Sequence, residues 1–129
     1  VAGNILLEAV GADGVTIAAA VVDGSAGAAA LAPQTSIADL IAIVRGAALM
    51  VSGDTGPLHL AAAVGTPVVG IYGPTDAARN GPWSADDVTV SRFAACGCHH
   101  QRRCRVARWC LEDISVDDVI AAITRRIGT

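Results

Sequence analysis

The sequence predicts an α/β domain whose parallel sheet is covered on both faces by helices. Two observations carry that expectation. First, short apolar runs alternate with helical stretches and small-residue turns. The clearest case is Ala48-Leu49-Met50-Val51, then Asp54-Thr55-Gly56-Pro57-Leu58-His59 running into Leu60-Ala61-Ala62-Ala63, then Val68-Val69-Gly70-Ile71-Tyr72. Strand, turn, helix, turn, strand is a crossover, and a crossover pairs its strands in parallel. Second, the chain is 53% hydrophobic but only 3% aromatic. A core of Ala, Val and Ile suits close layering of helix on sheet. With 129 residues, the chain is read as one domain, residues 1–129, large enough to bury a core of its own.

The elements follow in order. Ile5 to Val10 and Thr16 to Val22 are apolar six- or seven-residue runs whose periodicity fits helix or strand, with helix favoured for the second. Ala28 to Leu31 reads as a short strand, and Pro33-Gln34-Thr35 as a loop. Ser36 with Asp39 three residues on is a form of capping box, and Ile37, Leu40, Ile41 and Val44 give the following helix its stripe. Gly46 ends it. The central strand, the helix from Pro57 and the Val68 strand come next. Asp76 to Asp87 is polar and loop-like around Arg79-Asn80-Gly81-Pro82-Trp83, and Val88-Thr89-Val90 is a further strand. Ser115 caps the last helix, whose expected buried stripe is Val116, Val119, Ile120, Ile123 and Ile127. Arg125 and Arg126 sit at its end, where the helix dipole favours cations.

In such a sheet, ligands bind beyond the carboxyl ends of the strands. The Asp54–His59 loop and the Gly73-Pro74-Thr75 loop both belong there. Pro57 fits the first helical position, which makes Gly56 the N-cap. The amides of Leu58, His59 and Leu60 are then expected to point out of the helix start, a ready site for phosphate or carboxylate. His59 adds a donor beside that anion. Thr75 and Arg79 are further candidates for a phosphate or sugar, while Trp83 is expected to anchor its loop by packing.

A net charge of −3 implies no nucleic-acid-binding field. The longest apolar run, Val15 to Val22, is too short to span a bilayer, and Asp23 closes it. A cytoplasmic location is the expectation. The chain opens on Val and is expected to be a fragment.

Cys96, Cys98, Cys104 and Cys110, with His99 and His100 among them, suggest zinc at first sight. Their spacing is not that of a paired C-x-x-C knuckle, so reduced structural thiols are expected, with zinc or a disulfide as alternatives. Arg102, Arg103, Arg105 and Arg108 make this segment basic, either as a solvated face or as a contact for anionic headgroups.

The run Val51-Ser52-Gly53-Asp54-Thr55-Gly56-Pro57-Leu58-His59-Leu60-Ala61-Ala62-Ala63, with Gly65-Thr66-Pro67-Val68-Val69 and Tyr72-Gly73-Pro74-Thr75-Asp76, resembles the C-terminal half of the ADP-heptose:lipopolysaccharide heptosyltransferases of glycosyltransferase family 9. The resemblance runs from about Thr35 to the C-terminus. It implies a Rossmann-like domain, the C-terminal half of a GT-B fold. It also implies an inverting, metal-independent enzyme whose nucleotide-sugar donor, ADP-heptose, is a substrate rather than a cofactor. The N-terminal domain, which holds the acceptor and the catalytic base, lies outside this chain. By motif match, Asp54, Thr55, Gly56 and His59 fall where the family contacts the donor. Leu58, Leu60, Gly73, Thr75 and Arg79 complete the expected donor site. His59 is the expected stabiliser of the departing diphosphate, and Asp54 is expected to bond loop amides or a sugar hydroxyl. The glycine-rich turn and ribose-binding Glu of the family have no match in Val1 to Gly24, where Gly3-Asn4 and Glu8 fit poorly. Partners are then the nucleotide sugar, the acceptor domain and a phosphorylated glycolipid at the inner membrane face. The rival readings are a stand-alone nucleotide- or anion-binding module and a zinc-stabilised interaction domain.

Overall fold

The computed structural model describes residues 36–82, 84–101 and 108–128 in full, together with the backbone pairing of three earlier strands. Those strands are β1 (Ile5–Val10), β2 (Ile17–Val22) and β3 (Ala29–Leu31). They are followed by α1 (Ile37–Gly46), β4 (Leu49–Gly53), α2 (Gly56–Ala63), β5 (Val68–Tyr72), α3 (Ala77–Asn80), β6 (Val88–Ser91) and α4 (Val116–Ile127). Short 3-10 turns lie at Phe93–Ala95 and Cys110–Asp113.

The six strands form one sheet in the order β3-β2-β1-β4-β5-β6. From β1 through β4 and β5 to β6 every pairing is parallel, which the alternation of strands and helices predicts for β4, β5 and β6. At one edge the sheet continues antiparallel. β1 pairs with β2 from Ile5–Val22 to Val10–Ile17, and β2 with β3. The helix favoured for the second apolar run is therefore corrected to a strand. Its six residues pair with β1 on one side, and Ala20 to Val22 pair with β3 on the other, a context that periodicity in so short a run does not reveal.

Burial divides cleanly between the two faces of the sheet. On one, Met50, Val68 and Tyr72 pack with Val44 of α1 and with Leu58 and Ala61 of α2. On the other, Leu49, Val51, Val69, Val88 and Val90 pack with Ala122 of α4, flanked by Val119, Ile123 and Ile127. Because successive side chains of a strand point to opposite faces, β4 is buried along Leu49-Met50-Val51-Ser52 without alternation, as a central parallel strand should be. The result is a three-layer, Rossmann-like α/β arrangement.

The predicted Ser36 capping box forms, and Ser115, expected only as a cap, forms a second one. Ser36 Oγ accepts from the Asp39 amide at 3.1 Å while Asp39 Oδ2 accepts from the Ser36 amide, and Ser115 and Asp118 repeat the exchange at α4. The stripe expected on α4 is partly wrong. Val116 is 75% exposed and Ile120 is 54% exposed. Val116 lies in the first turn and Ile120 at the margin of the face, and the buried line runs instead through Val119, Ala122 and Ile123. Ile37, in the first turn of α1, is also exposed. Among the described residues, no helix is long and apolar enough to cross a membrane.

Candidate functional site

β4 and β5 are parallel neighbours, with Gly53 aligned to Ile71, so the loops that leave them open at the same sheet edge. The expectation that the Asp54–His59 and Gly73–Thr75 loops meet is correct, and Asp54 is where they meet. Its Oδ1 lies 2.9 Å from His59 Nε2. Its Oδ2 accepts from Asn80 Nδ2 at 2.8 Å. Thr75 adds a hydroxyl hydrogen bond to the same carboxylate. Partial burial pushes the Asp54 carboxyl up, but the bonds from Asn80, Thr75 and His59 outweigh it and hold the group below the usual carboxylate range.

An ionised carboxylate only accepts, so Nε2 of His59 carries the proton of that bond. Nδ1 is then the ring nitrogen left to meet a ligand: an acceptor in the neutral ring, a second donor in the imidazolium. His59 is partly exposed, with 39% of its side-chain surface open to solvent.

The helix start differs from expectation by one residue. Thr55, not Gly56, is the N-cap, with extended φ and ψ of −135° and 166°, and Pro57 falls at the second helical position. The Thr55 hydroxyl does not cap the helix but pairs with buried Ser52 Oγ at 3.1 Å. The His59 amide donates to the Thr55 carbonyl at 3.4 Å, closing the first helical turn. The amides outside the ladder are thus those of Gly56 and Leu58, and the expectation for His59 and Leu60 is corrected. Pro57 supplies none, so the unbonded donors begin earlier in the chain than the sequence suggested.

The Asp54 carboxylate is engaged within the protein by Asn80, Thr75 and His59, partners the sequence did not point to. Gly73 is buried, and a Cβ built there would lie 2.7 Å from Leu111 Cγ and 3.2 Å from Cys110 Sγ. That glycine packs closely against the Cys110–Asp113 turn, where a side chain would have no room. Arg79 is exposed on α3, with its amide donating to the Asp76 carbonyl.

Asn80 and Tyr72 were not singled out from the sequence. Tyr72 ends β5 fully buried, and its hydroxyl donates to the Gly81 carbonyl beside Asn80. Burial and then the nearby Asp54 charge push its phenol up to about 12. The Arg-Asn-Gly-Pro turn signal was visible, but its partner in sequence was not.

The cysteine segment packs onto the same edge, where the His100 amide donates to the Pro74 carbonyl at 2.6 Å. Cys96 and Cys110 are buried free thiols in contact with each other. Cys98, expected reduced, carries a disulfide. It is buried beside Cys96, and its amide donates to Cys96 Sγ at 3.3 Å. Among the described residues, no three His, Cys, Asp or Glu side chains are arranged to hold a metal ion. Cys104, Trp83, Arg102, Arg103 and Arg105 lie outside the described residues. Arg108 is exposed and pairs with Asp113 at 2.9 Å.

Comparison with known proteins bears on this geometry. The chain is 36% identical over 63 residues to a lipopolysaccharide core heptosyltransferase of Haemophilus influenzae, covering 49% of this chain and 18% of that protein. It is 41% identical over 54 residues to lipopolysaccharide heptosyltransferase 3 of Escherichia coli, covering 42% of this chain and 16% of that one. Against lipooligosaccharide heptosyltransferase 2 of Campylobacter jejuni it is 28% identical over 92 residues, 70% of this chain and 29% of that one. The chain therefore spans less than a third of the length of these relatives. No solved structure matches it. The sequence profile of glycosyltransferase family 9 (heptosyltransferase) matches residues 2–110, which take in all six strands and the Asp54 cluster, and the chain belongs to that family.

Proposed function

We propose that this chain is the donor-binding half of an inverting, metal-independent glycosyltransferase that moves heptose from ADP-heptose to a lipopolysaccharide-core acceptor. The observation that carries the reading is the Asp54–His59 pair, set at the carboxyl end of β4 beside the start of α2 in a chain of this family. The heptosyltransferase names of the relatives supply the sugar class, and ADP comes from the family resemblance.

In the proposed reaction an acceptor hydroxyl oxygen attacks the anomeric carbon while the bond from that carbon to the β-phosphate oxygen breaks. The electron pair leaves with the nucleoside diphosphate. The hydroxyl proton passes to a base on a further, N-terminal domain, which would complete a GT-B enzyme. Charge builds on the leaving diphosphate, and preorganised donors are what lower the barrier to such a step. The Gly56 and Leu58 amides and the positive end of α2 receive the β-phosphate. A protonated His59 keeps Nε2 on Asp54 and presents Nδ1–H to the departing oxygen. Thr75 steadies Asp54, and Arg79 reaches toward the diphosphate or a phosphorylated acceptor. Work at the cytoplasmic face of the inner membrane fits the Arg102–Arg108 segment as a contact for anionic headgroups.

Calorimetry with ADP, AMP and inorganic pyrophosphate tests the donor site. Binding of ADP that weakens with His59→Ala is expected; no heat with any diphosphate overturns the reading. In the enzyme carrying both domains, His59→Ala lowers kcat more than it raises the donor KM. Equal loss of both would reduce His59 to a binding residue.

A further inference from the structure

We propose that Asn80 is a positioning residue that sets the tautomer and orientation of the His59 ring through Asp54; its consequence for donor binding rests on the function proposed above. The two oxygens of Asp54 face His59 and Asn80 separately, and the Thr75 hydroxyl adds a third bond to the same carboxylate. Oδ1 takes His59 Nε2 at 2.9 Å and Oδ2 takes Asn80 Nδ2 at 2.8 Å. A carboxylate bonded through one oxygen turns about its χ2 axis. One bonded through both oxygens to groups on different elements has its plane fixed. A ring that donates to a fixed oxygen is fixed in turn, as carboxylate-supported histidines are at metal centres.

Asn80 is suited to act as the fixed point. Its own amide donates to the Asp76 carbonyl at 2.9 Å, closing the short helix α3. The next residue, Gly81, has φ of 79°, a backbone conformation that favours glycine. Its carbonyl accepts from the hydroxyl of Tyr72, which is fully buried at the end of β5. The chain of support thus runs from the sheet, through Tyr72 and the Asn80–Gly81 backbone, to the Asn80 amide, Asp54 and finally His59. Asn80 lies 26 residues from Asp54 in sequence, on a different element from the loop that carries Asp54 and His59.

The amide matters as a donor. Asn80→Asp keeps the shape but sets two acceptors, and two like charges, face to face. Asp54→Asn together with Asn80→Asp restores the bond in the opposite sense. The amide now at position 54 donates to the carboxylate at position 80, while its oxygen still accepts from His59.

The test reads the His59 ring directly. Long-range proton–nitrogen NMR spectra of the neutral imidazole, recorded on this chain, give the tautomer. Calorimetry with ADP gives the consequence for binding. The wild type is expected to hold the Nε2–H tautomer. Asn80→Ala should move the ring toward a mixture and weaken ADP about tenfold, the lower end of what losing such support costs. Asn80→Asp should do so more strongly, and the exchanged pair should recover most of both. Wild-type ring shifts in a folded Asn80→Ala variant overturn the proposal. So does an exchanged pair that recovers neither reading, which also decides the matter should Asn80→Ala fail to fold. If ADP does not bind the wild type but the tautomer follows residue 80, the positioning role stands and the donor reading fails.

Discussion

His59 Nε2 reaches back across the first turn of α2 to Asp54 Oδ1, 2.9 Å away and five residues earlier in the chain. That spacing brings the pair together only because Thr55 is extended and the helix begins immediately after it. The bond lies on the carboxylate's low side of titration. The folded-state value of Asp54 is depressed, so its contribution to stability is fully present above about pH 4, the ordinary value of the group, and is lost as pH falls through the lower folded-state value. Asp54→Asn should flatten the dependence of the urea midpoint on pH below 4 while leaving the exposed capping carboxylates Asp39 and Asp118 to titrate as before. An unaltered acid limb in that variant would show that the cluster contributes nothing to folding.

A second carboxylate binds the layers together. The Asp87 side chain is 2% exposed, and its Oδ1 accepts both the Val68 amide at 3.0 Å and Arg126 Nε at 2.9 Å. It thus ties the start of β5 to the last turn of α4. Removing the cation leaves a buried charge with only part of its support, and such losses cost about 3–5 kcal/mol. Arg126→Met should therefore cost about 3 kcal/mol, since its side chain is partly open, a large share of the roughly 5–15 kcal/mol that holds a domain of this size folded. Urea denaturation measures it. Arg125→Met, on an exposed neighbour, should change stability by less than about 0.5 kcal/mol.

Gly73 should tolerate no side chain while Leu111 is present. A Cβ there would meet Leu111 Cγ at 2.7 Å and Leu111 Cδ2 at 2.9 Å. Overpacking of this kind costs about 1–3 kcal/mol. Gly73→Ala should lower the urea midpoint, and adding Leu111→Ala should recover part of the loss beyond simple additivity, because the clash is between these two residues. Additive effects would place the strain elsewhere.

These contacts mark where the sequence was legible. The helices α1 and α4 could be bounded because their capping boxes are local: Ser36 bonds Asp39, and Ser115 bonds Asp118. The parallel core could be named because β4 and β5 are apolar throughout and joined by a helix. The helix that follows β4 was visible for the same local reason, although its N-cap is Thr55 rather than Gly56. β2 was not, since Ile17 to Val22 has no turn of periodicity long enough to separate strand from helix. Val116 and Ile120 misled because a stripe of apolar residues does not state which margin meets the sheet. Asn80 was invisible as a site residue: its partner Asp54 is 26 positions away, and only the meeting of two strand ends brings them together.

The thiols of Cys96 and Cys110 should be slow to react in the folded chain. Both are buried and touch each other beneath the Gly73 loop. Burial first, and then the Cys96 thiol, push Cys110 up to about 11. Only the thiolate attacks an alkylating reagent, and the raised value lowers its fraction near neutral pH. Iodoacetamide followed by mass spectrometry should therefore modify Cys110 in the native protein much more slowly than in urea. Gly73→Ala should accelerate it, because the added methyl displaces the Cys110–Asp113 turn that covers the sulfur. Rapid labelling of Cys110 in the wild type would mean that this turn opens freely in solution. The packing against Gly73 would then not govern access to the sulfur.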